Sequence, residues 1–288
     1  MRLLPLTLCA LALIGGQAAA LEMRVVPPSP GQGEVVMMHV AGVSGAREVE
    51  GSLDGRPLRF FRHGEEYAAL AGIDVEAKPG KAPWRVTVVN AAGVTHVRAG
   101  EITIKSRQFP VQRLTLPTEM VDLDPEAERR AAAETERLRA LYQTVSPERL
   151  WHGPFTRPVA GQDPGQGFGA RRIINGKPRM PHSGVDFGAE RGAPVVAANR
   201  GRVALVGDFF FAGRLVVLDH GLGLYTLYFH LDRADVPEGA VVERGEQIGA
   251  VGATGRATGP HLHWGAQLGL SRVDPLTLLL VSVSDGPR

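Results

Sequence analysis

Cysteine is almost missing from the chain: of 288 residues one is cysteine, Cys9, and it sits in a leader expected to be removed. A mature chain without cysteine has no disulfide, no thiol nucleophile and no thiolate zinc site. An excess of either charge is also missing. Thirty-two Lys and Arg face 30 Asp and Glu, a net charge of +2, so composition gives no support for nucleic acid or an anionic membrane surface as partner. No long apolar run follows the first residues, so no membrane span is expected after processing. The glycine-rich stretch 252–259 lacks the Gly-Lys-Ser/Thr of a phosphate loop, and no Gly-x-Ser-x-Gly elbow occurs.

What is present begins with residues 1–20. Arg2, the apolar run Leu3–Ile14 and Ala18-Ala19-Ala20 before Leu21 have the order of a secretory signal peptide. The apolar run is too short for a good membrane span. Leu8 before Cys9 is not the small residue that a lipoprotein needs. Cleavage after Ala20 and a periplasmic or secreted product are therefore expected.

At 288 residues, two domains fit comfortably. Residues 21–106 show short apolar alternations broken by turn residues, with strand candidates at 34–40, 57–61, 84–89 and 102–104. Asp54-Gly55, Pro79-Gly80 and Asn90-Ala91-Ala92-Gly93 supply turns. That pattern predicts a β-sandwich-like domain. His39, His63 and His96 fall in it with no ligand spacing and read as ordinary surface or edge residues. Residues 107–149 form a linker with a helix over 125–145: Asp124 caps it, Pro125 takes the first helical position, and Glu126 and Glu128 complement the dipole. Glu126 and Arg130 are spaced for an ion pair. Ala127, Ala131, Leu138, Leu141 and Val145 give a stripe that reads as packing on one domain. From 150 to 282 glycine-rich strands follow as a second all-β domain, and 283–288 is a polar tail.

The second domain holds the chemistry. His182, Gly184 and Asp186 would share one face of a strand, with glycine leaving space between the other two. His261 and His263 share a face in the same way. Joining the two faces brings up to three imidazoles and one carboxylate together, a natural zinc set without thiolate. Three ligands leave a fourth position for water, the mark of a catalytic site. One histidine of the His261/His263 pair suffices as third ligand; the other would lie near the metal as a base or oxyanion stabiliser. His230, ending Tyr225-Thr226-Leu227-Tyr228-Phe229-His230, could add a second such group, although spacing alone favours an ordinary strand-end histidine. His220 reads as a structural turn residue.

Three runs carry a resemblance: Phe168-Gly169-Ala170-Arg171-Arg172, Pro181-His182-Ser183-Gly184-Val185-Asp186-Phe187 and Gly259-Pro260-His261-Leu262-His263. With Ala193-Pro194-Val195, Asp219-His220-Gly221, Gly245-Glu246-Gln247-Ile248-Gly249, Thr254-Gly255 and Val273-Asp274-Pro275, residues 151–280 resemble the lysostaphin-type (LytM-domain) zinc metallopeptidases. The first domain resembles, more loosely, the β-rich leader domain of exported members. The resemblance implies that His182, Asp186 and His263 bind one zinc ion per chain and that His230 and His261 form the catalytic pair, which reverses the spacing-only reading of His230. It implies a mainly β protein: an N-terminal β-sandwich-like domain, a linking helix and a C-terminal antiparallel-β metallopeptidase domain. It also implies an endopeptidase that cuts peptide stems or cross-links of peptidoglycan, a D,D bond being favoured by the periplasmic-type leader. The alternative is a non-catalytic relative that binds wall or activates another wall hydrolase. The first domain reads as a spacer or a lid over the zinc groove, and as the surface through which a regulatory protein would dock. One departure stands out: the tyrosine that some members carry shortly before the first ligand histidine, and that helps hold the transition state, has no counterpart in Ile174-Asn175-Gly176-Lys177-Pro178-Arg179, where Asn175 or an arginine is left to serve.

Overall fold

The computed structural model describes residues 21–43, 45–165 and 167–281; the expected signal peptide, with Cys9, and the 283–288 tail lie outside them. Eight strands occupy the described residues from 21 to 104: β1 (Glu22–Val26), β2 (Val35–Ala41), β3 (Ala46–Leu53), β4 (Arg56–Pro57), β5 (Phe60–His63), β6 (Glu66–Gly72), β7 (Gly80–Asn90) and β8 (Thr95–Ile104). They form two four-stranded antiparallel sheets, β1-β2-β6-β5 and β4-β3-β7-β8. Asp54 and Gly55, both at positive φ (49° and 73°), close the β3–β4 hairpin as the sequence predicts. Asn90 Oδ1 accepts from the Ala92 and Val94 amides and makes the β7–β8 turn.

Strands β2 and β6 explain how this unit sits on the rest. Both are buried on two faces. Val36 and Met38 of β2, with Ala69 and Ala71 of β6, pack against Leu53, Ala82, Ile102 and Ile104 of the second sheet. The alternate residues Val35, Met37, Ala68 and Leu70 turn the other way, into a core that includes Trp151, Phe168, Trp264 and Val273. The two halves of the chain therefore share one continuous core. Polar contacts line the seam: Val35 N donates to Thr277 Oγ1 (3.2 Å), Asp274 N to Gly33 O (2.7 Å), and Arg272 pairs with Asp74 (2.9 Å) and Glu76 (2.6 Å).

After β9 (Val111–Leu114) comes helix α1 (Pro125–Gln143). Asp124 Oδ1 accepts from the Glu126 and Ala127 amides at 3.0 and 2.8 Å, so the cap is as predicted. The helix stops two residues before the expected 145, because Thr144 is already extended (φ −75°, ψ 130°). Arg130 bonds Glu134 at 2.7 Å rather than the expected Glu126. Leu138, Leu141 and Tyr142 pack on Leu205, Leu215, Val217 and Tyr225, so α1 is seated on the C-terminal half.

That half contains β10 (Arg171–Ile174), β11 (Lys177–Pro178), β12 (Gly184–Gly188), β13 (Pro194–Val196), β14 (Gly201–Phe209), β15 (Gly213–Gly221), β16 (Leu224–Ala234), β17 (Val241–Val242), β18 (Gln247–Val251), β19 (His261–Leu268), β20 (Ser271–Val273) and the short helix α2 (Pro275–Leu278). Strands β9, β10 and β11 make a small sheet. The other nine form one antiparallel sheet with the path β12-β19-β16-β15-β14-β17 and β13, β18 and β20 attached. The protein is mainly β, with one long linking helix, as expected.

Candidate metal centre

The site is built where β12, β19 and β16 lie side by side. Antiparallel pairing sets Asp186 opposite His263, and Phe229 of β16 lies opposite His263 on the other flank. His261 and His263 are two apart in β19 and share its face, as the alternation requires. His182 differs from expectation. Strand β12 begins only at Gly184, and His182 sits in the loop before it. Backbone bonds fix it there: His182 N donates to Ala170 O at 3.0 Å and Gly169 N donates to His182 O at 2.8 Å.

Three donor atoms converge. His182 Nε2 lies 2.8 Å from His263 Nδ1 and 3.1 Å from Asp186 Oδ1, and His263 Nδ1 lies 3.0 Å from the same oxygen. His182 Nδ1 is 2.9 Å from Gly167 O, so it is assigned the ring proton and Nε2 presents a lone pair. His261 and His230 follow the same rule. Their Nδ1 atoms donate to Gly259 O and Thr254 O, each at 2.9 Å. Their rings lie 4.8 Å apart, and His261 Nε2 is 3.9 Å from Asp186 Oδ1. All five residues singled out from the sequence are thus brought to one place.

Burial pushes His263 down to about 4. It also pushes His230 down to about 3, with His263 and His261 adding like-charge repulsion. Burial alone would raise the Asp186 carboxyl; the hydrogen bonds from His182 and His263 outweigh it and hold the group well below the carboxylate range. His230 also carries backbone strain, with φ at 64°, a left-handed conformation uncommon for histidine. It is pinned by His230 N donating to Ala212 O at 2.8 Å.

Residues 180–275 match peptidase family M23. The crystal structure of a Pseudomonas aeruginosa protein assigned to peptidase M23 is similar at a TM-score of 0.67 and 32% identity, over 88% of this chain and 95% of that one. The chain belongs to peptidase family M23. The peptidoglycan DD-endopeptidase ShyB of Vibrio cholerae is 45% identical over 85 residues, which are 30% of this chain and 20% of that protein. The DD-carboxypeptidase/endopeptidase Mpg of Neisseria meningitidis is 41% identical over 99 residues, 34% of this chain and 23% of that protein. The chain thus spans less than a quarter of the length of these relatives.

M23 members are metallopeptidases, and the donor set here fits a zinc ion. Two imidazole nitrogens and a carboxylate oxygen meet within 3.1 Å, while ligand atoms of a tetrahedral zinc lie roughly 3.3 Å apart. With the proton of His182 on Nδ1, at most one proton, on His263 Nδ1, is left to bridge three lone pairs. A cation satisfies all three. Imidazole and carboxylate without thiolate suit zinc.

Other residues shape the centre, and of these sequence patterning singled out Gly184 alone. The Phe229 ring stacks on His263 at 5.3 Å and 15° and sets its plane. Arg172 Nη2 reaches the second carboxylate oxygen of Asp186 at 3.5 Å. Gly167 and Gly184 leave necessary space: a Cβ at Gly167 would meet His182 Nδ1 at 2.8 Å, and one at Gly184 would meet Trp264 O at 2.4 Å and His263 Nε2 at 2.7 Å. Asn175, named as a stand-in for the family tyrosine, is instead bonded to the backbone of Leu116, donating to its carbonyl and accepting from its amide.

Proposed function

We propose that the protein is an exported, zinc-dependent endopeptidase that hydrolyses peptide stems or cross-links of peptidoglycan, with a D,D bond favoured. The observation that carries this reading is the convergence of His182 Nε2, Asp186 Oδ1 and His263 Nδ1 beside two further histidines whose Nδ1 atoms are held by backbone carbonyls. The Vibrio relative, named a peptidoglycan DD-endopeptidase, and the Neisseria relative, named a DD-carboxypeptidase/endopeptidase, support the substrate class.

When bound, one zinc ion supplies a Lewis acid that polarises the scissile carbonyl and acidifies a water. His182, Asp186 and His263 are assigned as its ligands. His261 Nε2 takes the water proton, and His230 stabilises the oxyanion, its ring held by Thr254 O. Arg172 orients the Asp186 carboxylate through the oxygen that the histidines leave free.

In this reading residues 1–20 export the chain, and 150–282 carry the centre. Residues 21–106 and the 107–149 linker brace it and offer a surface to a regulatory protein. Among the described residues no helix is long and apolar enough to cross a membrane, and action on the wall requires a periplasmic or secreted location.

Metal analysis of the purified protein, followed by digestion of cross-linked peptidoglycan with sizing of the fragments, tests the reading. Bound zinc and release of uncross-linked peptides are expected. A metal-free protein that releases nothing is the regulator, and the enzyme assignment is lost.

A further inference from the structure

The linking helix reaches the centre by a route that the metal ligands do not use. Ala131, Leu138 and Leu141 of α1 are turned toward the catalytic half, and helical spacing puts position 134 in the same stripe. Position 134 is nevertheless an acid. The Glu134 side chain is only 17% exposed, while Glu126, Glu128 and Glu136 of the same helix lie open to solvent. Both of its oxygens are engaged. Oε2 accepts from the Phe210 amide at 2.7 Å, and Oε1 accepts from Arg130 Nε at 2.7 Å. Arg130 in turn donates from Nη2 to Asp208 O at 2.9 Å. Two residues of one helical turn thus clamp the connection between β14 and β15.

The same connection supports His230. His230 N donates to Ala212 O at 2.8 Å, and Arg256 N donates to Phe211 O at 3.0 Å. Beside it, Gly213 and the 254–255 segment touch so closely that side chains have no room. A Cβ on Gly213 would lie 2.3 Å from Thr254 C, and one on Gly255 would lie 2.2 Å from Gly213 N. Thr254 Oγ1 accepts from Arg214 N at 2.9 Å and donates to Leu231 O at 2.8 Å. Thr254 O accepts from His230 Nδ1 at 2.9 Å. Turn and loop form one interlocked piece, and His230 is bonded to it through both N and Nδ1.

A left-handed backbone at a histidine persists only where its surroundings fix it. The carbonyls that fix it here, Ala212 O and Thr254 O, belong to the piece that Glu134 clamps. Release of the Phe210 amide would let that piece drift and carry the imidazole with it, and small misplacements of a catalytic group are costly.

We propose that Glu134 is a positioning residue for His230: acting through the 210–213 turn, it makes turnover depend on the linking helix being seated. This rests on the peptidoglycan endopeptidase reading and adds to it a point of control outside the centre.

The test uses zinc-loaded full-length protein and a synthetic peptide dimer joined by a D,D cross-link. Glu134→Ala should lower kcat roughly 5- to 50-fold with KM and zinc content unchanged, a smaller loss than removal of His230 itself. Glu134→Gln keeps an oxygen for the Phe210 amide and should recover most of the rate. In a His230→Ala background, Glu134→Ala should cost nothing further, because the residue it positions is gone. Thermal midpoints read folding separately. An unchanged kcat in Glu134→Ala, no recovery in Glu134→Gln, or the same loss repeated in the His230→Ala background would overturn the proposal and leave the hydrolase reading standing. If wild type cuts nothing, the hydrolase reading fails, and hydrogen exchange at His230 N decides the clamp: faster in Glu134→Ala if Glu134 holds the turn, unchanged if it does not.

Discussion

Among the described residues, two places bring two histidines and a carboxylate together, and one of them has the makings of a metal centre. The other is in the N-terminal sheets. His39 of β2 and His63 of β5, read from the sequence as scattered, have rings 5.4 Å apart, and His39 Nδ1 is 3.3 Å from Glu66 Oε2. Glu66 is shared with Arg24 at 3.5 Å, and neither Nδ1 atom finds a well-formed hydrogen bond among the described residues. Burial, with Arg24 adding, lowers the pKa of His39. At the C-terminal centre a backbone carbonyl fixes the proton of His182, and three lone pairs meet at one point. Nearness is common to both clusters. What separates them is carbonyls that orient rings and a carboxylate whose arginine leaves one oxygen to the histidines.

The difference can be broken most severely at a ligand. His263→Ala should lose zinc and all measurable wall hydrolysis, whereas His63→Ala should keep both; metal content and fragment release read the pair, and zinc retained in His263→Ala would remove the ligand assignment. Next in size, His261→Ala and His230→Ala should keep the metal while kcat falls about 10²- to 10⁴-fold. Full turnover in His261→Ala would end its role as base.

A third buried histidine sharpens the contrast in stability. His220, read as a turn residue, is fully buried within β15 with both nitrogens bonded, to Arg200 O (2.8 Å) and Thr226 Oγ1 (2.7 Å), and burial lowers it to about 4. The unfolded chain takes up this proton near pH 6.5 and the folded chain only near 4. His220 therefore leaves stability unchanged above pH 6.5 and costs up to about 3 kcal/mol as pH falls to 4. Denaturant midpoints at pH 7.5 and 4.5 should show a smaller acid loss in His220→Asn than in wild type; an identical loss would show that other groups set it. Smallest is Gly33→Ala, at φ 85° with a Cβ that would lie 2.3 Å from Phe168 Cε1. It should lower stability by about 1–3 kcal/mol and, through the 167–170 loop that holds His182, reduce turnover as well. A change in the thermal midpoint with kcat untouched would show that the seam and the centre are independent.

Much of this was legible because β periodicity puts residues two apart on one face. His261 with His263 needed no more than that. Asp124, Pro125 and the Asp54-Gly55 turn were legible because each is a local geometry demanded by a residue type. Strands β3 and β6 were not: β3 is mostly polar, and β6, Glu-Tyr-Ala-Ala-Leu-Ala-Gly, has little β-propensity and is held by burial on both faces. His182 was placed on a strand because spacing cannot distinguish a strand from a loop pinned by Ala170 and Gly167. Arg172 and Phe229 reach Asp186 and His263 from elements remote in the chain, and no spacing rule finds them. The His39–His63 encounter was hidden for the same reason, since they meet only through the pairing of β2, β5 and β6.

The core that Val35, Met37, Ala68 and Leu70 share with Trp151 and Trp264 has a consequence for how the catalytic half can be used. It is not a cassette. Cut out at residue 150 and moved to another scaffold, it would carry an uncovered apolar face where β2 and β6 had been, and the unpaired Arg272 and Asp274 around it. Any exchange of parts between such enzymes has to keep the seam intact.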